Sequence, residues 1–124
     1  MHVCANIVVG SEGEATAVLM RGGEVVAGVE LARSRRLTSK TDADLARGPA
    51  RLCVALGITL GDDGARLGRE FRLDLSPHPV PDVATGPRTG VSGPGGSDDY
   101  PWRFWIPGDP TVSPYKKSVP KKRS

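Results

Sequence analysis

A few residues in this chain stand where packing alone does not explain their type. Asn6 lies inside a Val/Ile run, and Arg21 closes a second apolar run. An Asn among β-branched residues gives up strand propensity and needs hydrogen-bond partners wherever it is covered. An Arg ending an apolar strand sets a permanent charge beside a core edge. Together they predict a polar cleft carried on a rigid hairpin. Arg51 stands in the first turn of a well-marked helix, whose free backbone N–H groups can hold a phosphate. Its plain alternative is a solvated side chain. The segment GPRTGV places Arg88 and Thr89 between Gly86 and Gly90. Glycines there either let backbone approach a ligand closely or simply make a turn. The segment PWRFWI interleaves aromatics with Arg103. That pattern can stack on bases, although closing a core is its commoner use.

Other chemistries find no support. There is no GxGxxG, Walker loop, CxxC, HExxH or GxSxG, and no defensible Ser/His/Asp set. Asp62 and Asp63 lack the ligand ladder of a calcium loop, and His78 has no Cys or second His at ligand spacing. Neither a metal nor a cofactor is expected.

The elements that must carry these residues follow from hydropathy and punctuation. Residues 3–9 and 15–21 read as two strands joined through the polar, Gly-containing stretch 10–14. Residues 24–36 read as a helix, acidic early and basic late, weakened by Gly28. Thr41 to Asp44 offers N-cap chemistry for a short turn. Pro49 at a first helical position and Gly57 as a stop bound the clearest helix. The alternation EFRLDL predicts a half-buried strand over 70–75, followed by a Pro-rich loop over 76–81. PWRFWI reads as a final strand closing the core.

Composition bounds the rest. At 124 residues, with Gly and Pro crowded beyond residue 76, the chain predicts one compact region of roughly 100 residues. The net charge of +3 permits contact with a polyanion without demanding it. Cys4 and Cys53 sit among apolar neighbours and read as buried free thiols in a reducing compartment. No leader pattern or membrane-length apolar run is present, so a soluble, cytoplasmic protein is expected. From spacing alone the reading ends at a small α+β domain with anion-binding capacity.

Five segments in register carry the reading further. MHVCANIVV, AVLMRGGEVVAGVELAR, LARGPARLCVALGI, GPRTGV and PWRFWIPGDPTVS resemble the alkyladenine (3-methyladenine) DNA glycosylases, in that family's order and spacing. The resemblance implies a single mixed α+β domain over residues 1–113, with a curved antiparallel sheet packed by helices and incomplete at the N-terminus. A disordered basic tail is expected over 114–124. It implies a monofunctional, monomeric hydrolase that acts on double-stranded DNA, nucleoid-associated if bacterial. Such an enzyme flips an alkylated or deaminated purine from the duplex and hydrolyses its N-glycosidic bond. No metal or other cofactor takes part. Residue by residue, Arg21 matches the arginine that positions the attacking water, and Thr89 the residue whose backbone contacts that water. The side chain of Thr89 is expected to matter little. Asn6 matches a pocket asparagine that disfavours normal guanine. Arg51 matches a basic residue beside the helix start, on the DNA backbone. Arg88 and Gly90 belong to a loop on the pocket wall and DNA surface.

In that family several dozen residues precede the segment matching MHVCAN, and they carry the water-activating glutamate and the walls that hold the flipped base. Glu12, Glu14 and Glu24 fall outside the glutamate's position. The chain therefore reads as an N-terminally truncated member, through a mis-assigned start codon or a degraded gene, without enzymatic turnover of its own. A DNA-binding remnant without chemistry and a non-functional fragment are the alternatives.

Overall fold

The computed structural model describes residues 2–116. The predicted tail falls outside the described residues from 117 onward. The chain builds an α+β arrangement of two antiparallel strand pairs and two short helices. Strand β1 (Asn6–Val9) pairs with β2 (Thr16–Leu19), with Asn6 opposite Leu19. Their connection turns at Gly10, whose φ of +96° suits glycine, and a Cβ there would lie 2.8 Å from the Glu14 carboxylate. Helix α1 (Val29–Arg35) follows a left-handed Gly28. This is why the helix predicted from residue 24 begins five residues later: a positive φ cannot sit inside an α-helix.

Helix α2 (Pro49–Leu56) begins on its proline and ends on Gly57, which adopts φ +69°. Ile58 N–H donates to the Cys53 carbonyl at 2.8 Å and Gly57 N–H to that of Val54 at 3.1 Å. This is the paired Schellman closure that a glycine permits. Arg35 adds a bond to the Ala55 carbonyl, placing a cation at the negative end of α2.

The core lies between these helices. Ala32, Leu45, Ala46, Leu52, Cys53 and Ala55 are buried, with Val3, Ala5, Met20, Val25, Val29 and Ile58 packed around them. Cys4 and Cys53 are both free thiols. Cys53 is buried as expected, but Cys4 is exposed, because strand alternation turns it away while Val3 and Ala5 face the helices.

The second pair joins β3 (Ala84–Gly86) to β4 (Arg103–Trp105), with Gly86 opposite Arg103. Among the described residues the two pairs remain separate sheets rather than one curved sheet. Two sequence expectations need correction. Residues 70–75 form no strand; all but Phe71 are exposed, and no partner strand lies alongside among the described residues. An alternating pattern alone cannot hold a strand without a ladder to join. The aromatic segment does not close the core either. Trp102, Phe104 and Ile106 point outward and are exposed, whereas Arg103 is the buried residue. A two-stranded sheet covers one face only, so alternate residues are left bare.

Gly22 and Gly23 join the hairpin to the rest. Gly23 N–H donates to the Ala46 carbonyl at 3.1 Å. A Cβ on Gly22 would lie 3.0 Å from the Ala46 oxygen and 3.2 Å from Gly48 N, whereas one on Gly23 would meet open space. Gly22→Ala should therefore cost about 1–3 kcal/mol, since backbone rather than a flexible side chain must yield. Gly23→Ala should be close to neutral. Leu45→Ala, at a side chain only 1% exposed, should cost about 2–5 kcal/mol. Urea unfolding of the three variants checks this order.

Candidate nucleic-acid site

Close packing at Gly22 sets Arg21 against the C-terminal segment. Arg21 and Arg103 line one cavity of about 390 Å³, together with Glu24, Trp105, Asp109 and Thr111. Arg21 is half-buried, and burial lowers its pKa from the usual arginine value. No described carboxylate forms an ion pair or hydrogen bond with it. Asp109 lines the same cavity, with its Oδ1 bonded to Thr111. It accepts from the Thr111 hydroxyl at 2.6 Å and backbone N–H at 2.8 Å, which hold its carboxyl below the ordinary range.

Arg103 is 3% exposed. Its Nη1 donates to the Thr89 hydroxyl at 3.0 Å and its Nη2 to the Ser113 carbonyl at 3.4 Å. Its Nε is buried without a partner among the described residues. The guanidinium lies 5.3 Å from the Trp105 ring centroid and 4.8 Å from that of Tyr115, and these rings stack at 4.7 Å. Aromatic faces attract a desolvated cation but do not neutralise it. Burial, and then the like charge of Arg21, lowers the Arg103 pKa, with Tyr115 acting weakly the other way.

The loop bearing Thr89 is fixed from the same side. Tyr115 Oη donates to the Pro87 carbonyl at 3.2 Å. Gly86 lies under both rings of the stack, where a Cβ would come within 3.2 Å of the Tyr115 hydroxyl and 3.3 Å of Trp105. Arg88 Nη2 donates to the Gly95 carbonyl at 3.1 Å, and its guanidinium lies 5.9 Å from the exposed Trp102 ring. Gly90 takes φ +74° with open space where a side chain would project.

Of the residues singled out from sequence, Arg21 lines the cavity beside Arg103, and Thr89, which does not line it, holds Arg103 through its hydroxyl. The Thr89 side chain, expected to matter little, supplies the hydroxyl that receives Arg103. Asn6 is exposed on β1 and does not line the cavity. Arg51 lies at the start of α2, bound to Asp44 at 2.6 Å, and Arg36 holds the second Asp44 oxygen at 3.1 Å. Its charge is therefore partly matched within the chain. Arg103 itself was missed as a site residue. It enters the sequence reading only as the Arg interleaved with aromatics in PWRFWI, where alternation turns Arg103 and Trp105 to one face.

Comparison with known proteins follows this geometry. The profile of the methylpurine-DNA glycosylase family matches residues 1–110. The chain belongs to that family. It is 57% identical to a candidate 3-methyladenine DNA glycosylase of Leifsonia xyli subsp. xyli, over 94% of this chain and 57% of that protein. Similarly named proteins of Streptomyces avermitilis and Nocardia farcinica are 53% and 50% identical, over 99% and 95% of this chain and 59% and 56% of theirs. The chain thus spans less than three fifths of the length of these relatives. Among the described residues no helix is long and apolar enough to cross a membrane, and no three His, Cys, Asp or Glu gather as metal ligands.

Two outcomes test the site's construction. Thr89→Val leaves the buried Nη1 of Arg103 without its acceptor, and should cost about 1–3 kcal/mol by thermal melting. Thr111→Val removes one of the bonds that depress Asp109. A depressed carboxyl stabilises the fold above its unfolded pKa, near 4, and that contribution is lost as pH falls through the lower folded value. The melting-temperature gap between wild type and Thr111→Val should be full at pH 6 and shrink toward pH 2.

Proposed function

We propose that these residues are the water-orienting portion of a DNA glycosylase site, which hydrolyses the N-glycosidic bond of alkylated or deaminated purines in double-stranded DNA. The observation that carries this reading is a half-buried Arg21 on an accessible cavity shared with Arg103, whose guanidinium holds the Thr89 side chain, with no described carboxylate bonded to Arg21. A guanidinium so placed can donate to a water, and on this reading the Thr89 carbonyl accepts from that water. The same water then lacks only a base. Glu24 and Asp109 share the cavity wall, but Asp109 is a weakened base and Glu24 is exposed.

On this reading Arg21 orients the nucleophile, the Thr89 backbone fixes its direction, and Asn6 screens the exocyclic group of the flipped purine. Arg51, Arg88 and Gly90 approach the DNA backbone. The protein acts as a monomer in the cytoplasm, on the nucleoid. A positioned general base contributes about 10²–10⁴-fold to such a reaction, so the 124 residues alone excise no base at an enzymatic rate.

A second reading, DNA binding without chemistry, is favoured by the surface where Arg88 lies near Trp102, with Phe104 also exposed. Aromatic faces beside a cation suit stacking on unpaired bases.

Excision assays on duplexes carrying hypoxanthine or ethenoadenine separate the two. The 124-residue chain should yield no abasic product, while the chain preceded by the additional segment its relatives possess should yield it. Turnover by the short chain would refute the division of labour; silence from both would favour binding alone. Gel shifts should weaken steeply with salt, and Arg88→Ala should lower the salt slope by about 1.

A further inference from the structure

The hairpin carries more apolar surface than the described residues cover. Opposed residues of β1 and β2 share a face, so Ile7, Val9 and Val18 lie on one side and Val8, Ala17 and Leu19 on the other. The base of the first side, at Ala5 and Met20, packs on the core. Beyond that base Val9 is 44% exposed and Val18 56%, while Val8 and Leu19 on the other side are 73% and 43% exposed. Strands with apolar side chains on both faces belong inside a sheet that is covered on both sides. Each strand also keeps an unpaired edge among the described residues. Edges that face water are guarded by charge, proline or a bulge. The strands NIVV and TAVL carry no charge and no proline, and they pair in continuous register. A second run points the same way. Residues 70–75 alternate as a strand would, with Leu73 and Leu75 exposed and no partner strand among the described residues.

We propose that this hairpin is a docking surface for one occupant, the part of the family's polypeptide that has no counterpart in these 124 residues. The match to the Leifsonia xyli relative takes in 94% of this chain but only 57% of that protein, so a long stretch of family polypeptide lies outside it. The occupant adds a strand along an open edge of the hairpin and lays apolar side chains over Val8 and Leu19. Main-chain hydrogen bonds hold such a strand, and its alternating side chains set the register. A second copy of this chain fits the surface less well. A two-fold pair of hairpins joins like edge to like edge, which leaves the other edge of each one bare. The surface rests on family membership and on the uncovered strands, and not on the glycosylase chemistry.

The test co-expresses the full 124-residue chain with the portion of the Leifsonia xyli protein that lies outside the match. The two should co-purify as a one-to-one complex by light scattering. Hydrogen exchange at the amides of residues 6–9 and 16–19 should slow at least tenfold relative to the chain alone. The double variant Val8→Asp, Leu19→Asp should weaken the complex at least tenfold. Leu37→Asp, at an exposed apolar residue outside the hairpin, should leave it within twofold. No co-purification, hairpin amides that exchange in the complex as in the free chain, or a hairpin already protected in a dimer of the chain alone would overturn the proposal. The exchange result on the unmodified pair is decisive whether or not the double variant folds. The glycosylase reading fails separately. A complex that forms through the hairpin but excises no base removes that reading and keeps the surface. Excision by a complex whose hairpin amides stay unprotected does the reverse.

Discussion

Removing a cation from water costs several kcal/mol unless nearby groups replace its hydration, and in this protein that demand falls on Arg103. The replacement comes from parts of the chain distant in sequence. The hydroxyl is from residue 89, the carbonyl from residue 113, and the ring faces from residues 105 and 115. Each contact is modest, and none is a counter-ion. Their joint effect is to bind β4, the loop after β3 and the segment around Tyr115 into one unit, because separating any of them strands a buried charge.

Arg21 reaches that unit by a different route. Gly22 passes so close to the backbone at Ala46 and Gly48 that a Cβ would need that backbone to give by a few tenths of an ångström. The end of β2 is thereby pressed against the helical core on one side and against Thr111 and its neighbours on the other. Arg47 strengthens the same junction, with its Nε donating to the Val112 carbonyl at 3.1 Å. The site therefore depends on two constraints of opposite character: a side chain that must be buried, and a glycine whose missing side chain permits the approach. The small helical core between α1 and α2 is the platform for both. Its stability comes from close apolar packing and from a helix end closed by Gly57, with Asp44 paired to Arg36 and Arg51 at its edge.

The hairpin contributes position more than stability. Val8 and Val18 are 73% and 56% exposed, so most of its apolar surface is left uncovered by the described residues. Its order comes from the turn at Gly10 and from the anchoring of its base, where Met20 N–H donates to the Ala5 carbonyl. Asn6, near that base, is carried at a fixed register without being enclosed.

Local signals settled much of this in advance. The hairpin, the extent of α2 and its stop at Gly57, and the α+β class were legible because each rests on short-range rules: β-branched runs, proline at a helix start, glycine at a helix end. Family membership was legible from five segments in register. What failed were the inferences that needed a neighbour. The pattern at 70–75 alternates as a strand would, but a strand needs a partner that residue order does not specify. The segment PWRFWI looked like core, yet burial fell on its arginine, because which face of a two-stranded sheet is covered depends on what packs against it. The importance of the Thr89 hydroxyl was invisible for the same reason, since its partner lies 14 residues away. The order of residues fixes which groups are available and how each local turn is made. Only tertiary packing decides which charges lose their water, and so which residues must answer for them.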